Sequence, residues 1–178
     1  MWVSDSYEDI FTRAQSHLVQ GDYETAYDEF HRLSERLSGL KTVVMDRRPE
    51  LRNLLMLSLA RQAEIHHIQG EFDEALQLYE RLAEIAPEHR DSWQRDRALV
   101  RIDMGQTEEG LDELRAQAVA HPDDYRLWLT IGLECEALER LDQAVENLQR
   151  AVMRAGDGDE KADVYLDLFD LYREQGRV

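Results

Sequence analysis

The chain has 178 residues, 43% apolar and 33% charged, enough for one domain or one uninterrupted repeat array with a substantial core. Its formal net charge is −17, from 21 Lys plus Arg against 38 Asp plus Glu. Phosphate backbones release counterions only to cationic surfaces, so this balance argues against nucleic-acid binding and against attraction to an anionic membrane.

In chain order, the apolar spacing is helical, and no segment alternates with period two for long enough to make a half-buried strand. The first turn signal is Gly21-Asp22-Tyr23, followed by a small residue, Ala26, and a large apolar one, Phe30. The pattern recurs at Gly70-Glu71-Phe72 with Ala75 and Tyr79, and at Gly105-Gln106-Thr107 with Gly110 and Leu114. A fourth occurrence, Glu139-Arg140-Leu141 with Ala144 and Leu148, carries Glu where the others carry Gly. Anchors 70, 105 and 139 are 35 and 34 residues apart, a period that means a solenoid of helix pairs. Pro49, Pro87 and Pro122 fall between helical patterns, where they end one helix or open the next. The spacing predicts nine helices in antiparallel pairs, the last unpaired. The units run roughly over 7–40, 50–87, 91–122 and 125–156, with a capping helix over 160–176, in a single domain over 1–178.

These residues resemble the tetratricopeptide repeat. The fourth unit carries the signature most fully, with Trp128, Ile131, Gly132 and Cys135, then Ala144, Leu148 and Ala151. The second supplies Ala63, Gly70, Ala75, Tyr79 and Pro87, the third Ala98, Gly105, Gly110, Leu114 and Pro122, and the first Ala14, Gly21, Ala26 and Phe30. The resemblance implies an all-α fold, a right-handed α-α superhelix of about four units plus a C-terminal cap. Ala14, Ala63, Ala98 and Gly132 are then where the first helix of a pair approaches the second, and a large side chain there would force the helices apart. Two departures stand out: the first two anchors are 49 residues apart, and the fifth unit stops after one helix. The long connection over 38–49 is expected to lengthen its flanking helices until they meet near Asp46-Arg47-Arg48-Pro49, a mobile flap being the alternative.

The resemblance also places a ligand groove on the first helix of each pair. Taking positions i, i+3, i+7 and i+10 selects Phe11 on the first helix, Leu57, Ala60 and Glu64 on the next, and Arg95 and Leu99 on the third. Arg126, Leu129 and Leu133 follow on the fourth and Leu166 on the cap, giving an apolar track flanked by charges of both signs. The Lys, Asn and Arg clamp of chaperone-binding relatives has no counterpart, since Phe11, Gln15, Ala60, Arg61, Ser92 and Asp96 stand at the matching places. On the cap, Asp163, Asp167, Asp170 and Glu174 make one narrow acidic stripe, which leaves Tyr165, Phe169 and Tyr172 as candidates for a homodimer contact.

Candidate chemistry is sparse. His66 and His67 point about 100° apart on a helix and cannot jointly grip one ion. Asp157-Gly158-Asp159-Glu160 lacks the distal ligands of a calcium loop, and Cys135 sits on an apolar face with no base near it in sequence. No metal or cofactor is expected. A lone cysteine fits a reducing, cytoplasmic setting, no run is long enough to span a membrane, and the first residues lack the order of a secretory leader. The leading expectation is a non-catalytic interaction scaffold that binds a protein or peptide with basic and apolar character. A self-associating structural subunit is the alternative, and an enzyme assembled in the groove a weaker one.

Overall fold

The computed structural model describes residues 5–156, 158–174 and 176. Among them every regular element is helical, in keeping with the helical period of the sequence. Two compact units divide the chain, residues 1–106 and 107–178, and the division falls between the two helices of the third repeat.

The first unit contains α1 (Tyr7–Val19), α2 (Tyr23–Ser38), α3 (Thr42–Arg47), α4 (Pro49–Ile68), α5 (Phe72–Ile85) and α6 (Arg90–Asp103), with a 3-10 turn over Pro87–His89. Ser6 opens α1 with a reciprocal cap: its Oγ accepts from the Asp9 N–H, and the Asp9 carboxylate accepts from the Ser6 N–H, both at 3.1 Å. Asp22 caps α2 in the simpler way, accepting from the Thr25 N–H. Leu33, Leu37, Leu51, Leu59, Ala63 and Leu82 lie fully buried in the main core, while Ala14, Ala26, Phe30 and Ile65 form a second cluster. Between α2 and α4 the burial includes polar groups. The Gln62 amide donates to Ser34 Oγ at 3.1 Å and to the Ser58 carbonyl at 3.0 Å, and its oxygen faces His31 Nδ1 at 3.2 Å. Each buried polar atom of this set has a partner, so it fixes register without a desolvation debt.

The long connection departs from the expected nine-helix count. The flanking helices do not meet; α2 stops at Ser38 and a short six-residue helix, α3, fills the gap. Two local causes suffice. Lys41 is extended (φ −65°, ψ 143°), and Arg48 is held out of the helical region (φ −134°, ψ 74°) because the ring of Pro49 crowds the residue before it. Pro49 then opens α4, which at 20 residues is the longest helix. Leu40 and Met45 pack on the core of this unit, while Val43 remains exposed.

The second unit contains α7 (Thr107–Ala120), α8 (Tyr125–Ala137), α9 (Leu141–Arg154) and α10 (Asp159–Glu174). Leu111, Leu114, Ile131, Leu148 and Leu171 are fully buried in it. Trp128, buried on α8, ties the α8–α9 pair together: its indole N–H donates to the Pro122 carbonyl at 3.2 Å, and the guanidinium groups of Arg150 and Arg154 lie 4.9 and 5.2 Å from its ring.

The four turns of the repeat share one geometry. After α1, α4, α6 and α8 a residue with positive φ follows the helix, and the next N–H reaches back five residues: Asp22 to His17, Glu71 to His66, Gln106 to Arg101, Arg140 to Cys135. Gly21, Gly70 and Gly105 take φ of 77°, 76° and 91° at no steric cost. Glu139 takes φ 58°, the one non-glycine residue with positive φ among the described residues, so the fourth turn keeps the glycine's conformation without the glycine.

Candidate functional site

A cleft of about 340 Å³ opens in the first unit between α4 and α6, with α5 at its base. From α4 come Leu57, Ala60, Arg61, Glu64 and His67; from α6, Trp93, Asp96 and Leu99; from α5, Tyr79. Leu57 is 42% exposed, an apolar side chain held at the mouth rather than in the core. Tyr79 is 6% exposed and belongs to the core cluster, yet it lines the cleft and its hydroxyl has no hydrogen-bond partner among the described residues.

The charges are arranged in neighbouring pairs. Arg61 donates to Glu64 Oε2 at 2.6 Å. Arg95 approaches Asp96 with Nε at 3.3 Å and a terminal nitrogen at 3.2 Å, both on the same oxygen, Oδ1. His67 Nε2 lies 2.6 Å from Asp103 Oδ2. Burial pushes the Asp96 carboxyl above its ordinary range, with Glu64 adding to the shift and Arg95 and His67 opposing it. Burial first, then the charges of Asp96 and Glu64, holds the Tyr79 phenol far above its usual value, so it is a neutral hydroxyl at any ordinary pH. The indole N–H of Trp93 and Nε of Arg61 are buried without an acceptor. The wall of the cleft therefore carries more hydrogen-bonding capacity than the chain itself uses.

The residues expected in a groove divide. Leu57, Ala60, Glu64 and Leu99 come together in this cleft. On α6 the lining runs through Trp93, Asp96 and Leu99, while Arg95, expected on the same stripe as Leu99, is not part of it. The reason is geometric: a cleft between neighbours is lined by facing edges, so the lining stripe shifts around the second helix relative to the first. Arg95 is half-buried against Asp96, and Phe11 is half-buried with its ring 5.4 Å from Phe30. Arg126, Leu129, Leu133 and Leu166 belong to the second unit. Arg126 is exposed beside Glu160 at 3.2 Å, Leu129 is half-buried, and Leu133 and Leu166 are 39% and 62% exposed. On α10, Tyr165 and Phe169 are half-exposed, but the Tyr172 hydroxyl accepts a 2.7 Å bond from Gln149 on α9. Tyr79, Trp93 and Asp96 were missed. A tyrosine at a position that carries Phe or Leu in the other units was the available signal.

The remaining candidates have ordinary partners. His66 bonds Glu71 and packs edge-on to Tyr27 at 4.9 Å, while His67 turns to Asp103, so the two adjacent imidazoles go separate ways. Among the described residues no three metal-ligating side chains gather, and Asp157 lies outside them. Cys135 is buried, its thiol pushed up by that burial. No helix among the described residues is long and apolar enough to cross a membrane.

Two tetratricopeptide-repeat family models match the chain, over residues 57–89 and 95–160, together more than half of it. The chain belongs to the tetratricopeptide repeat family. Solved structures agree on the fold. The MamA fragment 41-end from Desulfovibrio magneticus RS-1 is 18% identical, with TM-score 0.58, covering 99% of this chain and 89% of that one. A putative kinesin light chain from Podosopora anserina with nearly identical TPR-like repeats is 17% identical, with TM-score 0.66, over 96% and 87%. The Rap conjugation gene regulator of the plasmid pLS20, in complex with the Phr* peptide, is 11% identical, with TM-score 0.70, over 96% of this chain and 49% of that one. No curated protein sequence matches this tetratricopeptide repeat chain.

Proposed function

We propose that this tetratricopeptide repeat protein is a non-catalytic interaction scaffold that holds a segment of a partner protein in the α4–α6 cleft. The observation that carries the reading is the cleft itself: Leu57 and Leu99 offer apolar anchors beside polar groups the chain leaves unused. The Rap regulator, similar in fold, was solved with a peptide, which supports a peptide as the kind of ligand. A net charge of −17 favours a basic partner and accelerates its encounter at low salt. The even spacing of the anchors supports treating the units as one repeat domain, and the lone, buried thiol suits a cytoplasmic protein.

Site-specific photocrosslinking in the native cell tests the reading. A crosslinker at Leu57 is expected to capture a discrete partner, and one at exposed Glu74 on α5 is not. Capture from position 57 should disappear when Leu99→Glu is added with helix content unchanged, since each anchor contributes ~1.5–3 kcal/mol when a ligand buries it. Equal labelling from both positions overturns the groove.

A second reading rests on α10, where Tyr165, Leu166 and Phe169 are each at least half-exposed. Self-association through this face predicts a mass that rises with concentration and falls back in Phe169→Asp. A monomer throughout removes it.

A further inference from the structure

We infer that the α4–α6 cleft reads one arginine side chain of the partner segment, its guanidinium set among Asp96, Glu64 and the Tyr79 hydroxyl and its stem against Leu57, Leu99 and Trp93. The inference rests on the groove reading above and names the chemistry that the groove selects.

Three features of the cleft carry it. The Tyr79 hydroxyl lines the cleft without a hydrogen-bond partner, although the residue is 94% buried by virtue of its 6% exposure. The hydroxyl is not among the buried polar atoms that lack a partner; it faces the open space of the cleft, where a group arriving from outside can pair with it. Each carboxylate also keeps one oxygen in reserve. Both Arg95 nitrogens fall on Asp96 Oδ1, leaving Oδ2, and Arg61 falls on Glu64 Oε2, leaving Oε1. Asp96 is also poorly solvated: burial raises its pKa, so a cation reaching its open oxygen would replace solvation that the fold has removed.

Besides the buried N–H groups of Trp93 and Arg61, the cleft offers three acceptors to an incoming group: two carboxylate oxygens and the phenol oxygen. A carboxylate or phosphate ligand would meet like charge here. An ammonium group satisfies a single point, whereas the guanidinium offers five N–H donors in a planar fork, carries no acceptor, and stacks on an aromatic face such as that of Trp93. Its three-carbon stem suits Leu57 and Leu99, which apolar methylene groups cover without polar loss. The overall charge of −17 steers such a segment toward the protein.

Selection from a random linear peptide library displayed on phage, with the full chain as bait, tests this directly. The result expected is enrichment of arginine at one position beside an apolar residue. For a selected peptide, replacing that arginine by its neutral near-isostere citrulline should weaken binding about tenfold or more. Asp96→Asn should weaken the arginine peptide by a similar factor and the citrulline peptide by less than about twofold, and Tyr79→Phe should cost the arginine peptide several-fold. Circular dichroism of both near-isosteric variants checks that the fold is kept. Peptides that depend on Leu57 and Leu99 but are indifferent to Asp96→Asn leave the groove standing and overturn the arginine site. Lysine enriched in place of arginine also overturns it. A library with no binder that responds to Leu57→Glu overturns the groove reading itself.

Discussion

The second and fourth repeats use one position in opposite ways. Tyr79 and Leu148 each stand nine residues after their turn, and Ala63 and Gly132 hold the reciprocal place on the preceding helix. In the fourth repeat the approach is so close that a Cβ built on Gly132 would lie 2.8 Å from Leu148 Cγ and Cδ2. Leucine fills that contact completely and has nothing further to offer. In the second repeat the side chain is longer, its ring joins the core, and its hydroxyl lines the α4–α6 cleft. The repeat pattern thus sets how deep a residue sits. Its identity decides whether depth serves packing alone or also recognition.

The largest expected effect breaks the fourth repeat. Gly132→Val adds a branched side chain where Leu148 already stands, and the backbone nitrogen of Leu148, 3.2 Å from the added Cβ, cannot swing aside like a side-chain tip. Overpacking of this kind costs about 3 kcal/mol, readable as a lowered denaturation midpoint. Combining it with Leu148→Ala should recover part of the loss; no recovery would show that the close approach is not its source.

Next in size is an exchange between the repeats. Tyr79→Leu gives the second repeat the residue of the fourth, removing ring volume from the core at a cost of about 2 kcal/mol. Helix content should persist while any ligand that needs the hydroxyl is lost. Unchanged ligand affinity would mean that the cleft does not use Tyr79.

The turns offer a smaller, stabilising comparison. Glu139 occupies the left-handed region that Gly21, Gly70 and Gly105 occupy freely. Glu139→Gly should raise the unfolding free energy of the fourth repeat by about 1 kcal/mol, because the steric cost relieved exceeds the unfolded-state entropy added. Gly70→Ala is the mirror experiment. Nothing lies within 4 Å of its added Cβ, so the loss measured there is the backbone term alone. If the two changes are unequal in size, the Glu139 side chain contributes something beyond its conformation.

The repeat anchors made the helix pairs, the turns and the small-residue contacts legible, because each rests on a single residue type at fixed spacing. Glu139 was placed correctly by alignment even though its residue type argued otherwise. The cleft was only half legible. The α4 stripe through Leu57, Ala60 and Glu64 lines the cleft with Leu99 of α6, but the same offset on α6 chose Arg95 and passed over Trp93 and Asp96. Spacing along one helix carries no information on which edge faces its neighbour. The connection over 38–49 was misjudged for a local reason, since the constraint that Pro49 places on Arg48 outweighed the continuing apolar pattern.

The smallest effect concerns Asp96, and its sign separates the cleft from the ion pairs elsewhere. Glu50 and Glu108 are exposed and hydrogen-bonded to Arg48 and Arg140, which lowers their pKa values. Asp96 moves the other way: burial raises its pKa more than Arg95 restores it. A carboxyl whose folded pKa lies above its unfolded value binds more protons in the folded state across that interval. Stability therefore falls as pH rises through the interval, and at neutral pH the ionised group is a net cost. Asp96→Asn removes that cost, so the variant should melt slightly higher than the parent at pH 7, with the advantage shrinking as pH falls through the carboxylate range and vanishing once Asp96 is protonated in both states. An arginine peptide in the cleft should reverse the order, because a bound guanidinium stabilises the ionised form and draws the folded pKa down. A variant that melts lower than the parent at pH 7 without ligand would mean that the Arg95–Asp96 pair more than offsets the burial of the carboxylate, and Asp96 would then gain little from a ligand's cation.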